Sequence, residues 1–468
     1  SQLPSTRNAK AAFGVSRNAA QEIYDRLGND GLVLARRGSG TYVADLLPAG
    51  LHPTPKLPSS VPDPRLNDFW LSGRAASWIG FWQEPASADG PGLLRIDLRP
   101  ALIDPAQFPF ALFRQVMARQ LRRLETRPAS SKSPQGNQGN FHLRQAIANH
   151  IAHTRAVACG ADEILVTSGA QQAFDLIARA LVKSGETRVA IEDPGYPPMR
   201  VPFAAAGAQL VPVRVDKDGL VVEEIPPGTN IICVCPSHQF PLGMSMSPAR
   251  RRALLQFASR TGAIIVEDDY DGEFRLAGSP LEALRGSSSS DQVFYIGSFS
   301  KCLLPSLRLG FIVAPRWALE TLVAIKNSLD WHCSIPVQLA VSSFIADGHL
   351  GRHVQRLRRL YRERRSHLLE LFRDFDGLLE PISSSYGMHV ATFANGIDCG
   401  RVSDALARRD IHIHALERYY LGPVTREGFV LGYASADVGK LSTAMAALAE
   451  EIGVPLLEKP DSEETRTR

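Results

Sequence analysis

Paired cysteines, long apolar runs and an excess of charge of one sign are all missing from this 468-residue chain. Its six cysteines, Cys159, Cys233, Cys235, Cys302, Cys333 and Cys399, are scattered, and none falls in a C-x-x-C pair. Neither a zinc site nor a disulfide framework is indicated, so no metal is expected and reduced thiols in the cytoplasm are. No apolar run approaches the roughly 18 residues of a membrane span, and no signal-peptide pattern is present. The 52 basic and 48 acidic residues nearly cancel, so global charge points to no partner.

What is present is the balance of a globular protein, 44% hydrophobic and 21% charged, at a length that predicts two or three domains. The small basic excess is concentrated. Residues 1–43 hold six Lys/Arg against three acids, which leaves only +1 for the rest of the chain. A basic head on a neutral body suggests an anionic partner for the head.

The body is organised around Asp291–Gly310, DQVFYIGSFSKCLLPSLRLG. Val293–Ile296 reads as a buried strand, and the break after it carries Lys301 between small polar residues. Ser298 and Ser300 precede the lysine and Arg308 follows it by seven positions. An amine, hydroxyls and a guanidinium at one strand end suit a Schiff base to a phosphorylated aldehyde, pyridoxal 5′-phosphate (PLP).

In chain order, residues 5–43 read as two short helices and a hairpin. Ser5 caps a helix through Phe13 that Gly14 ends. Ser16 caps a second helix, Arg17–Leu27, with Ala20, Ile23, Tyr24 and Leu27 on one apolar face. Arg36-Arg37-Gly38-Ser39-Gly40 then forms the basic tip of a hairpin. Arg17 and Asn18 stand where side chains reach base edges, and Arg36 and Arg37 suit backbone or minor-groove contact. Residues 46–92 are rich in Pro, Ser, Ala and Gly and read as a linker. Trp70, Trp78, Phe81 and Trp82 suggest that part of it packs on a neighbouring surface.

From 93 to 455 the chain alternates helices with continuous apolar strands, which predicts a mostly parallel sheet with ligands at the strand ends. After Ile164–Thr167 comes Ser168-Gly169-Ala170-Gln171, opening a helix whose amides suit a phosphate. Tyr196 follows Val189–Ile191 and could stack on a flat ring. A polar turn, Cys235–Gly243, follows Ile231–Val234. Glu267, Asp268, Asp269, Tyr270 and Asp271 follow Ala263–Val266. Acids so clustered could hold Mg²⁺. That is the main alternative to a PLP site, which needs one carboxylate, Asp268, against the pyridine nitrogen and a phenol, Tyr270, near the ring hydroxyl.

The segments LPSTR (3–7), FGVSRNAAQEIYDRL (13–27) and RRGSGTYV (36–43) resemble the winged helix-turn-helix of the GntR superfamily. That family usually opens with a helix before the LPS motif, so residues 1–45 are expected to lack it. TSGAQQAFDLIARAL, EDPGY, PSHQFPLGMSMS, VEDDYDGEF and YIGSFSKCLLPSLRLG look like the body of MocR/GabR-type regulators. The resemblance implies a winged head fused to a fold-type I aminotransferase-like α/β domain with a small C-terminal α+β subdomain. It implies PLP as cofactor, held by Lys301, Asp268, Tyr270, Tyr196, Gly169, Ala170, Gln171, Gln239, Ser298, Ser300 and Arg308. His238 is the alternative to Gln239. DNA contacts would come from Ser5, Thr6, Arg7, Ser16, Arg17, Asn18, Arg36, Arg37 and Ser39. A homodimer, a DNA operator and an amine, amino-acid or PLP effector are the implied partners.

The pattern departs from the family on the substrate side. Val430 stands where a carboxylate-clamping arginine is usual, Pro197-Pro198 follow Tyr196, and Arg200 is displaced. Efficient transamination is therefore not expected. A working aminotransferase with a vestigial head stays as the alternative. Residues 456–468 are expected to form a disordered tail.

Overall fold

The computed structural model describes residues 2–36, 38–44, 65–83, 95–126, 136–278, 281–287, 291–384 and 386–455. Arg37, most of the expected linker and the tail from 456 lie outside the described residues. The chain divides into two compact units, Ser1–Asp68 and Phe69–Arg468.

In the smaller unit, Ser16 caps the helix Arg17–Asn29, its Oγ accepting from the Ala19 amide at 3.2 Å. The first helix is only Ala9–Phe13, because the Ser5 carbonyl takes the Asn8 and Ala9 amides in a preceding turn. Gly14 ends it at φ +69°, a left-handed conformation that glycine adopts without strain. The expected apolar face is only partly covered. Ala20 is buried and Tyr24 donates to the Pro4 carbonyl at 2.8 Å, but Ile23 is 45% exposed. Val33–Arg36 and Gly40–Val43 pair antiparallel, with Arg36 opposite Gly40. The Arg36 guanidinium lies over the Tyr42 ring at 5.1 Å, which holds it at the hairpin tip.

The larger unit is built on an eight-stranded sheet. Its order is 164–167, 310–313, 293–298, 264–269, 231–234, 188–193, 209–216 and 219–220. The five strands from 293–298 through 209–216 are parallel in sequence across the sheet, and 310–313 runs antiparallel to both neighbours. Alternation along each strand divides the core. Ile231 and Cys233 pack with Phe174 and Ile177 of the helix Ala170–Leu181. Ile232 and Val234 pack with Leu254 and Ala258 of Pro248–Thr261. Both faces are thus buried, which is why these strands read as unbroken apolar runs.

A second, antiparallel sheet orders 379–381, 389–394, 428–432 and 414–415, with the helices Cys399–Arg408 and Val438–Ile452 alongside. Ile96–Asp97 pairs in parallel with Ile411–His412 and brings the start of the body beside this subdomain. Residues 69–83, expected within the linker, are instead part of the larger unit. They form the helices Asp68–Leu71 and Gly73–Ile79 and a 3-10 turn, Gly80–Trp82.

Candidate functional site

Five strand ends deliver their residues to one cavity of about 610 Å³ in the larger unit. Ala170, Gln171, Tyr196, Asp268, Tyr270, Ser298, Ser300, Lys301 and Arg308 all line it.

Lys301 sits three residues beyond the strand Val293–Ser298, in a turn where Ser298 Oγ accepts the Ser300 amide at 3.2 Å. Its Nζ donates to the Ala101 carbonyl at 2.7 Å and lies 5.0 Å from the Trp82 ring centroid. Burial lowers the ammonium pKa to about 8; Asp271 and Asp268 oppose that drop, and Arg308 adds to it. An amine so placed gives up its proton more readily than a free lysine, which is what a nucleophilic lysine needs.

The acids on Ile264–Asp269 and the turn after it separate, because a strand sends neighbours to opposite faces. Glu267 accepts the Leu284 and Arg285 amides. Asp269 is gripped by Arg155, Nε to Oδ2 at 2.6 Å and Nη2 to Oδ1 at 3.0 Å, and by the Tyr295 hydroxyl at 2.6 Å. Asp271 Oδ2 lies 2.7 Å from His238 Nδ1. Asp268 alone of the four reaches the cavity. Burial raises its carboxyl to about 8, with Asp269 and Asp271 adding, and its Oδ1 has no hydrogen-bond partner among the described residues. A buried acceptor left open in this way fits a ring N–H supplied by a bound group. The Mg²⁺ alternative finds no support in this dispersal, since three of the four acids are committed to protein donors.

The Tyr270 phenol oxygen is 2.6 Å from His238 Nδ1, so that nitrogen is shared between the phenol and Asp271. Gln239, the first choice over His238, is turned away. Its amide donates to the Pro194 and Phe240 carbonyls at 2.9 and 3.0 Å, and its oxygen accepts the Leu242 amide at 2.9 Å. Those bonds tie down the turn, and Phe240 rather than Gln239 faces the cavity. The choice between adjacent residues in a tight turn was not legible from the sequence.

The phosphate side is formed by a close backbone crossing. Gly169, at φ +81°, precedes Ala170–Leu181, whose first turn has no side-chain cap. A Cβ on Gly310 would lie 2.9 Å from Gly169 Cα, and one on Gly169 would lie 3.1 Å from the Arg308 guanidinium. Arg308 itself is left-handed at φ +46° and donates to the Ser168 carbonyl at 2.8 Å. A strained non-glycine residue costs on the order of 1–3 kcal/mol and persists where the fold over-determines it. Here it aims a cation beside an uncapped helix start, an anion cradle of fixed geometry.

Tyr196 lies at the mouth of the helix Pro197–Ala205, and its hydroxyl accepts from Trp82 Nε1 at 2.7 Å. Trp78, Ile79 and Trp82 complete the wall. The aromatic character of Trp78 and Trp82 is a packing signal in the sequence, but no periodicity places them at this cavity, and Ile79 carries no signal at all. Arg200 does not reach it. This side chain is fully buried, and its Nη atoms donate to the Gly195, Tyr419 and Tyr420 carbonyls. Burial lowers its pKa to about 10. Val430 is also fully buried.

In the smaller unit, Ser5, Arg7, Ser16, Arg17, Asn18, Arg36 and Ser39 are exposed and Thr6 half-buried, while Arg37 lies outside the described residues. Ser16 is occupied as the helix cap, and Ser39 Oγ pairs with the Tyr42 hydroxyl at 2.8 Å. No helix among the described residues is long and apolar enough to cross a membrane.

Comparison with known proteins divides the chain the same way. The family "Bacterial regulatory proteins, gntR family" matches residues 1–43, and "Aminotransferase class I and II" matches residues 107–430. The probable rhizopine catabolism regulatory protein MocR of Rhizobium meliloti is 33% identical, over 97% of this chain and 91% of its own length. The HTH-type pyridoxine biosynthesis transcriptional regulator PdxR of Corynebacterium glutamicum is 30% identical over the same shares, 97% and 91%. Among solved structures, a Pyrococcus horikoshii kynurenine aminotransferase superposes with a TM-score of 0.70 at 25% identity, covering 77% of this chain and 91% of that one.

Proposed function

The chain belongs to the MocR-type transcriptional regulators, in which a GntR-family head continues into a body of the aminotransferase class I and II family, and on that premise we propose that it binds PLP at Lys301 and regulates an operator in response to an amine. The observation that carries this reading is the meeting, in one cavity, of a low-pKa lysine, an open buried carboxyl oxygen and an anion cradle.

When bound, PLP supplies an aldehyde that condenses with amines and a ring that withdraws electrons. Lys301 provides the amine that holds it. Asp268 Oδ1 would accept from the ring nitrogen and keep it protonated, since a ring cation would relieve this buried carboxylate. The Tyr270 phenol, steadied by His238, would serve the ring hydroxyl, and Tyr196 would cover the ring. Ser298, Ser300, Arg308 and the Gly169–Gln171 amides would hold the phosphate.

Sensing is favoured over turnover by the wall opposite Lys301. Its cavity-lining residues are mostly apolar, and the nearby Arg200 is committed to carbonyls. Among the described lining residues the only cations are Lys301 and Arg308, which this reading assigns to the cofactor, so a bound amino acid has none left to orient its carboxylate for repeated proton transfer. The head, by this reading, places Arg17 and Asn18 in a major groove and Arg36 on the backbone. A cytoplasmic homodimer binding two half-sites completes the proposal.

The test is the absorbance of the bound cofactor in wild type and Lys301→Ala, followed through additions of amines. The reading expects a band with PLP that Lys301→Ala loses, and a shift with an amine that forms little oxo acid. No band in wild type would overturn it. Steady oxo-acid production would favour an aminotransferase.

A further inference from the structure

We propose that Gly73–Trp82, the segment joining head to body in the sequence, is a specificity wall that selects amines with an apolar, uncharged tail. The inference rests on the PLP reading above, because Lys301 fixes where an amine nitrogen must arrive.

The wall is held firmly. Ser72 caps Gly73–Ile79, its Oγ accepting the Ala75 amide at 3.1 Å and donating to the Phe69 carbonyl at 2.7 Å. Ala75 is fully buried and Phe81 is 2% exposed. The Phe81 ring packs edge-on against His414 and Tyr419, with centroids 5.2 and 5.4 Å away. The segment therefore presents Trp78, Ile79 and Trp82 to the cavity from a fixed backbone.

Three observations set the chemistry. First, Trp82 lies over the Lys301 ammonium, so its indole borders the point where an amine condenses. Second, the one polar atom of that indole is already spent, Nε1 donating to the Tyr196 hydroxyl at 2.7 Å. Third, Leu102, Ile103 and Val201 extend the apolar lining beyond Trp82. The Arg200 guanidinium lies 5.9 Å from the Trp78 ring centroid, has no exposed surface and donates to main-chain carbonyls. An acidic tail turned to this wall would be desolvated with no donor there, whereas methylenes would gain by burial.

The test is a series of n-alkylamines, propylamine to pentylamine, against 4-aminobutanoate and 5-aminopentanoate. Each is titrated into the holoprotein and read as a shift of the cofactor band. Each added methylene should tighten binding about fourfold, and each amino acid should bind at least roughly tenfold more weakly than the alkylamine of its length. Ile79→Ala should flatten the chain-length slope while leaving propylamine nearly unchanged, whereas Trp82→Ala should flatten the slope and weaken propylamine as well. If Trp82→Ala fails to hold the cofactor, Ile79→Ala alone decides. Equal binding of the amino acids, or a slope unaltered in Ile79→Ala, overturns the proposal. A wild type with no cofactor band fails one step earlier and removes both readings, so the two failures are distinct.

Discussion

At Asp268 a buried carboxyl keeps one oxygen without a partner among the described residues, and this one atom connects stability, pH and ligand. Burial, with Asp269 and Asp271 adding, raises the group from an ordinary 3.8 to about 8. The folded state thus holds the proton more tightly than the unfolded chain. The stability contributed by the protonated form is fully present at acid pH and lost as pH rises through about 8. Asp268→Asn keeps the shape and does not titrate. In urea unfolding of cofactor-free protein, the variant should gain on the wild type between about pH 5 and pH 8. A difference that stays flat would mean the carboxyl is not strained. With PLP the order reverses. Loss of a charge-assisted bond worth about 1.5–3 kcal/mol should weaken cofactor binding by roughly 10- to 100-fold, measured by equilibrium dialysis.

Between elements, the pairing of Arg155 with Asp269 joins the end of the helix Phe141–Arg155 to the strand that carries Asp268. Both side chains are almost wholly buried, at 4% and 2% exposure. Arg155→Met leaves Asp269 with the Tyr295 hydroxyl as its one hydrogen-bond partner among the described residues and should cost about 3–5 kcal/mol in chemical denaturation. A second change, Asp269→Asn, should recover part of that loss, whereas strict additivity would show that the two do not act as a pair. On the hairpin of the head, Arg36 is exposed and braced on Tyr42. As a phosphate contact it should influence all sequences alike. Arg36→Ala is expected to lower the salt slope of operator binding by about one, and a loss confined to one base position would identify a base-reading role instead. These elements also mark where the sequence was legible. Unbroken apolar runs gave the sheet because both faces are buried, and the residues after each run gave nine of the cavity's lining groups. The helix Pro197–Ala205 escaped notice because its prolines read as breakers, although two of them occupy the first turn, where no amide partner is lost. Trp78 and Trp82 were legible as packing residues but not as cavity lining, because their segment is fixed by a cap and ring contacts rather than by a periodic face. Gln239 was misplaced because local hydrogen bonds, which no spacing rule encodes, decide which residue of a turn faces inward.

At the scale of the whole molecule, regulation needs a coupling between two compact units, Ser1–Asp68 and Phe69–Arg468. A ligand at the Lys301 cavity can change DNA affinity only by as much as it distinguishes the states of the full chain. Coupling of this kind is reciprocal. If an amine changes operator affinity by some factor, operator DNA must change the affinity for that amine by the same factor, and couplings are typically about 5- to 150-fold. The two halves can be measured independently on holoprotein. Operator binding is followed by fluorescence anisotropy with and without pentylamine, and pentylamine binding by the cofactor band with and without operator. Equal factors above one are expected. A factor of one in both would leave the cavity as a binding site without a regulatory output. A change in operator affinity with no matching change in amine affinity would mean that the amine acts on DNA binding somewhere other than the Lys301 cavity.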